Sequence, residues 1–109
     1  LGIVSDAPSV NAWIRLVEMN IADFFDVVVT LHDTGKKKPS KTPFLKAVKE
    51  IGVKPGNILF VGDWPERDIQ GAKALGMKTA FAKYGSQERI KKHGADYELE
   101  KIEDLLKIV

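Results

Sequence analysis

Two carboxylates, Asp63 and Asp68, stand in the stretch Val61-Gly62-Asp63-Trp64-Pro65-Glu66-Arg67-Asp68, directly behind an apolar run. Paired carboxylate oxygens suit a hard cation, and Mg²⁺ is favoured over Ca²⁺ because only a few protein ligands are offered. The run itself, Ile58-Leu59-Phe60-Val61, is apolar without alternation, which predicts a parallel strand over 57–61 covered on both faces. Pro65 suits the first turn of a following helix, with Ile69, Ala72 and Leu75 on one face and Gly76 at its stop. Asp63 therefore falls at the carboxyl end of a strand, where open α/β sheets place their ligands. Asp68 lies about one helical turn further on, able to face the same crevice. Alone, a Gly-Asp behind a strand is equally compatible with a plain turn and helix cap. Two other sites tip the balance.

The chain opens with an apolar strand over 1–4 that ends in Ser5 and Asp6. Pro8 and Ser9 then open a helix with Val10, Trp13, Ile14, Val17 and Ile21 on one face. A β-branched strand, Val27-Val28-Val29-Thr30, precedes Gly35-Lys36-Lys37-Lys38-Pro39. Thr42-Pro43 is expected to cap the next helix, which buries Phe44, Leu45, Val48 and Ile51 before Gly52 ends it. A hydroxyl, a lysine and a carboxylate pair thus stand at the carboxyl ends of successive strands, which share one rim in a parallel sheet. A donor, a fixed cation and a metal site on one rim make an anion cradle, suited to phosphate.

The order Ser5, then Lys38-Pro39 with Phe44, then Gly62-Asp63-(four residues)-Asp68 resembles motifs two, three and four of the haloacid dehalogenase superfamily of hydrolases. The likeness spans nearly the whole chain. It implies a Rossmann-like, three-layer αβα fold with a parallel sheet, and Mg²⁺-dependent phosphoryl transfer through a phosphoaspartate. It implies that Ser5 hydrogen-bonds the transferring phosphoryl group, helped by the backbone N–H of Asp6, which stands where many relatives have Asn. Lys38 would neutralise charge between nucleophile and phosphate. Asp63 would ligate Mg²⁺, and Asp68 would hold the metal shell or orient Lys38.

The family's first motif, a strand ending in Asp-x-Asp that supplies nucleophile and general acid/base, has no counterpart. Asp6-Ala7-Pro8 lacks the second acid, and Asp23-Phe24-Phe25-Asp26 has the wrong spacing and no preceding strand. Residues 1–109 are therefore expected to be the carboxyl-terminal part of a single core domain, with the nucleophile motif and any cap upstream. In the family that first strand lies in the sheet's middle, between the Ser5 and Asp63 strands. A missing amino-terminal segment or a second copy is expected to complete the sheet, because unpaired buried backbone groups cost roughly 1–3 kcal/mol each. Only one helix and one strand separate Ser5 from Lys38, which leaves no room for a large cap between them.

The reading that follows is a phosphatase acting on a small phosphorylated metabolite, with the chain alone inactive. A 2-haloacid dehalogenase would use the same fold without the metal, and a receiver-like signalling module also joins an acidic strand end to Lys-Pro. A non-catalytic domain that binds a partner through open strand edges is the third alternative.

Composition fits a cytosolic globular domain: 44% of 109 residues are hydrophobic, enough for one core. The absence of cysteine excludes disulfides, thiolate metal sites and cysteine nucleophiles. No apolar run approaches the roughly 18 residues of a membrane span, and a net charge of +2 is too balanced for a nucleic-acid surface. Abundant Lys and Glu without Cys lean towards a thermophilic source. Lys36 and Lys37 read as a solvated loop, and Arg89, Lys91 and Lys92 as a solvated helix face. His32 and His93 lack metal-ligand spacing and read as structural or surface groups. Trp64 either walls the site or packs. Further along, Lys78–Ala82 reads as a strand, Ser86 opens a helix containing Ile90, and Asp96-Tyr97 forms a short edge strand. Ile102, Leu105, Leu106 and Val109 make the stripe of a terminal helix.

Overall fold

A computed structural model describes residues 1–86 and 92–109. The helix expected to open at Ser86 and contain Ile90 would run over residues 87–91, which lie outside the described residues. The chain folds into two compact units, Leu1–Val53 and Lys54–Val109.

In the first unit β1 (Gly2–Val4) and β2 (Val27–Val29) form a parallel pair, joined through α1 (Ser9–Glu18). Gly2 lies opposite Val27 and Val4 opposite Val29, so both strands end level. A four-residue helix α2 (Leu31–Thr34) follows β2, and α3 (Lys41–Ile51) completes the unit. Its core holds Val29 and Phe44, both fully buried, with Leu16, Ala12 and Val27 nearly so.

The sequence pattern misplaces the buried side of α1. Ala12 and Leu16, one turn apart, are the residues that pack inward. Val10, Trp13, Ile14 and Val17, the expected core face, are 45–65% exposed. Periodicity locates an apolar stripe but cannot say which of two apolar sides the unit covers. At α3, Ser40 is the N-cap in place of Thr42, its Oγ accepting the Thr42 N–H at 3.4 Å. Phe44 is buried as expected, Val48 and Ile51 are half-buried, and Leu45 is half-exposed. Gly52 ends the helix in the left-handed region, φ +72°, which costs a glycine little.

The second unit carries three parallel strands in the order β3 (Leu59–Gly62), β4 (Lys78–Ala82), β5 (Tyr97–Leu99). Leu59 pairs with Lys78 and Gly62 with Phe81, while Ala80 pairs with Tyr97. Between β3 and β4 the chain makes a π turn over Pro65–Ile69 and a short helix α4 (Gln70–Ala74). Ile69, Ala72, Ala80, Phe81 and Leu99 are fully buried and form the core. β4, the central strand, matches its expected bounds. β3 is only half-buried, against the expectation of cover on both faces, because it is the outer strand of this three-stranded sheet.

The edge strand starts at Tyr97, since the Asp96 side chain turns back to accept the Thr79 N–H at 2.8 Å. The terminal segment is a 3₁₀ turn, Ile102–Lys107. At three residues per turn it aligns Leu105 with Ile108, both half-buried, and leaves Leu106 and Val109 about 80% exposed. Among the described residues no helix is long and apolar enough to cross a membrane.

Candidate active site

Ser5 leaves β1 with its N–H donating to the Val29 carbonyl at 2.9 Å, one step beyond the strand ladder. Its Oγ accepts the Ala7 N–H at 3.1 Å, a short side-chain turn that bends the chain towards α1. The hydroxyl hydrogen remains available as a donor. Lys38 returns to the same strand end from the far side of α2. Its Nζ donates to the Val4 carbonyl at 3.0 Å, and its backbone N–H donates to Asp6 Oδ1 at 2.8 Å. The Lys38-Pro39 peptide bond is cis. Ser5, Asp6 and Lys38, predicted from separate parts of the sequence, are thus brought together. Asp6 does more than offer a backbone donor, since its carboxylate anchors the lysine's own main chain. Lys36 and Lys37 are exposed, in keeping with a solvated loop.

In the second unit Asp63 is the first residue past β3 and is exposed. Asp68 is 5% exposed and bonds back to the start of its turn: its N–H donates to the Trp64 carbonyl at 2.7 Å and its Oδ2 accepts the Trp64 N–H at 3.2 Å. The Asp68 side chain lies across Gly62, where a Cβ would come within 2.6 Å of its Cγ and closer still to its Cβ. Gly62 is therefore glycine for lack of space. Gly85, past the end of β4, faces Asp63 the same way: a Cβ there would lie 2.7 Å from Asp63 Oδ2. The neighbouring Tyr84 phenol is pushed above its usual range by burial, then by the charges of Asp63 and Glu103.

A cleft of about 960 Å³ opens beside this turn, lined by Asp63, Trp64, Ile69, Lys73 and His93 among others. Trp64 is half-exposed on its border, with the Arg67 guanidinium 4.1 Å above its ring, so it walls the cleft and is not core packing. His93 is structural: it stacks on Phe81 at 4.6 Å and its Nδ1 accepts the Ala95 N–H at 3.1 Å.

Sequence reasoning passed over three contributors. The Thr30-to-Asp33 capping box behind β2 was readable from its spacing. The approaches of Tyr84 and Gly85 to Asp63 carried no local signal, because they depend on β3 and β4 pairing. The contact of His32 with Ser9, taken up below, likewise joins residues that only folding brings near.

Two parallel sheets, one with Ser5 and the Lys38 ammonium at the carboxyl end of β1 and the other with Asp63 just past β3, are α/β elements of Rossmann-like type. The family model of haloacid dehalogenase-like hydrolases matches residues 1–82. The chain is 43% identical, over its whole length, to 47% of the glyceraldehyde 3-phosphate phosphatase of Pyrococcus abyssi. Among solved structures, the HAD phosphatase of Thermococcus onnurineus superposes with TM-score 0.88 at 34% identity, over 99% of this chain and 49% of that one. The HAD-hydrolase YfnB of Bacillus subtilis, solved bound to magnesium, superposes with TM-score 0.89 at 28% identity, over 99% and 48%. The chain belongs to the haloacid dehalogenase-like hydrolases. It spans about half the length of the relatives it matches. Family membership removes the receiver-module alternative.

Proposed function

We propose that the full-length protein is a phosphatase of small phosphorylated metabolites, in which Ser5 and Lys38 hold the phosphoryl group and Asp63 serves its metal ion. The observation that carries this reading is the double tether of Lys38, to Val4 through Nζ and to Asp6 through its N–H, which fixes an ammonium beside Ser5. An ammonium held against a strand end with a hydroxyl donor next to it is complementary to a phosphoryl oxygen pair. The phosphatase name of a relative matched along the whole chain supports the same class.

In this mechanism the nucleophilic Asp comes from an Asp-x-Asp strand upstream, the amino-terminal segment that also completes the sheet. It attacks phosphorus, the alcohol leaves with a proton from the second acid of that motif, and water then releases phosphate from the acyl phosphate. The Ser5 hydroxyl and Asp6 N–H orient the phosphoryl oxygens, while Lys38 neutralises charge that builds between nucleophile and phosphate. The carboxylates at 63 and 68 offer hard oxygen atoms, few of them, which suits Mg²⁺ provided that the rest of its shell comes from outside the described residues, among which no group of three or more His, Cys, Asp or Glu gathers. Asp63 would ligate the ion; Asp68, tied to Trp64, would hold the shell around it. Bound there, Mg²⁺ supplies positive charge to the phosphoryl oxygens.

The test is hydrolysis of p-nitrophenyl phosphate by the full-length protein, with Mg²⁺ and with EDTA, beside Ser5→Ala and Lys38→Met. Mg²⁺-dependent turnover lost in both variants is expected, with none from the 109-residue chain alone. Metal-independent halide release from a 2-haloacid would make the protein a dehalogenase. Turnover by the isolated chain would remove the need for an upstream nucleophile.

A further inference from the structure

The loops behind β1 and β2 are laced together in the first unit, and one of the laces can change charge. The N–H of Ser9, first residue of α1, donates to His32 Nδ1 at 3.0 Å. A ring nitrogen that accepts carries no proton, so this bond requires neutral imidazole with its hydrogen on Nε2. Next to it the Thr30 hydroxyl donates to Asp33 Oδ2 at 3.0 Å, and the Ser9 hydroxyl, 2.6 Å from Thr30 Oγ1, donates to Thr30 in turn. Thr30 is 1% exposed. The Leu31 N–H donates to the Ala7 carbonyl, and the Ala7 N–H to Ser5 Oγ, both at 3.1 Å. A continuous set of contacts thus leads from His32 across to Ser5.

We propose that His32 is a positioning residue for the anion-binding loop at 5–9, and that it holds the loop only as the neutral imidazole. The inference rests on the phosphatase reading above. Protonation removes the lone pair that accepts the Ser9 N–H. It also sets a cation against the amino end of a ten-residue helix, where the helix dipole opposes it. The charged groups around this contact do not replace the imidazole. Asp33 is engaged with Thr30, and Asp6 with the Lys38 main chain. The first turn of α1 carries no acid. From α3, Lys46, paired with Glu50 at 2.9 Å, stands in electrostatic reach of Asp33. Lys36 and Lys37 are solvated.

His32→Asn separates this role from a merely structural one. An Asn side-chain oxygen occupies nearly the place of Nδ1 and accepts at any pH. In the full-length protein, kcat/KM for p-nitrophenyl phosphate is measured between pH 5.5 and 7.5, the range in which imidazoles change charge, for the native sequence, His32→Asn and His32→Ala. The ratio of native to His32→Asn cancels every other titration. It is expected to fall by about twofold to fivefold from the alkaline to the acid end of that range, the worth of one solvent-exposed hydrogen bond. His32→Ala should be low by the same factor at pH 7.5. A flat ratio, or His32→Ala equal to His32→Asn at pH 7.5, overturns the proposal. A second readout needs no activity: in the ¹⁵N-labelled full-length protein the Ser9 amide should shift between pH 5.5 and 7.5, and should stay still in His32→Asn. A Ser9 amide indifferent to pH overturns the inference. Absence of phosphatase activity with a responsive Ser9 amide overturns the functional reading and leaves the His32–Ser9 link standing.

Discussion

Gly62→Ala should be among the most damaging single-methyl changes in the second unit. The added Cβ would sit 2.5 Å from Asp68 Oδ2 and 2.6 Å from Asp68 Cγ, and closer again to Asp68 Cβ. Carbon atoms in contact need about 3.5–4.0 Å, so strand and turn must part by roughly 1 Å. The Asp68 side chain has nowhere to swing, being 5% exposed, and its main chain is bonded to Trp64 at 2.7 Å. Overpacking of this kind costs about 1–3 kcal/mol. Losing the Trp64 N–H to Asp68 bond adds about 1 kcal/mol, since a 3.2 Å bond belongs at the weak end of the range. The total, about 2–4 kcal/mol, should lower the melting temperature by about 10–25 °C for a domain of this size.

The assay is thermal unfolding by circular dichroism, with Gly56→Ala as control. Gly56 has an ordinary φ, and a methyl placed there would have nothing within 4 Å, so its change should stay within about 0.5 kcal/mol. Adding Asp68→Ala should not rescue Gly62→Ala, because alanine keeps the Cβ nearest the clash. A Gly62→Ala chain that melts within a few degrees of the control would refute the reasoning: the acid would not be pinned beneath the strand end.

Three further outcomes are expected. Thr30→Val removes the hydroxyl shared by Ser9 and Asp33 and should cost about 1–2 kcal/mol, read as a lower urea midpoint. Asp96 is held below the usual carboxylate range, first by the Thr79 N–H and then by the Thr79 hydroxyl, Lys73 and Lys78, against a counteracting burial effect. Its contribution is therefore present above the unfolded carboxylate pKa of about 4 and is lost as pH falls through the lower folded value. The gap in denaturant midpoint between the native chain and Asp96→Asn should be constant from pH 5 to 8 and close below pH 4. Asp63→Asn should lower kcat of the full-length protein by about 10²–10³ and abolish its response to Mg²⁺. The melting temperature should stay unchanged, because Asp63 is exposed.

What the sequence disclosed and what it concealed divide along a physical line. β4 was legible to the residue because Gly76, with φ +86°, and the apolar run behind it are both local signals. The same holds for Gly52 at the end of α3 and for the Asp63 turn, where strand, proline and acids follow in order. Ser5, Asp6 and Lys38 were each legible as types, but the bonds from Lys38 to Val4 and Asp6 join residues more than thirty positions apart. The α1 stripe failed for a different reason: periodicity counts apolar residues, and α1 has them on two sides. At α3, Pro43 drew the cap to Thr42, although a serine two residues earlier satisfied the free N–H.

The uncovered flank of α1 has a practical corollary for anyone purifying this polypeptide. Trp13 and its neighbours Val10, Ile14 and Val17 offer water a greasy strip while the strands beneath are fully formed. Hydrophobic reporter dyes such as anilinonaphthalene sulfonate should brighten on the native chain itself. Fluorescence gain, the usual alarm for a loosened interior, would here mark a well-folded sample, and quality control must turn to backbone or methyl spectra.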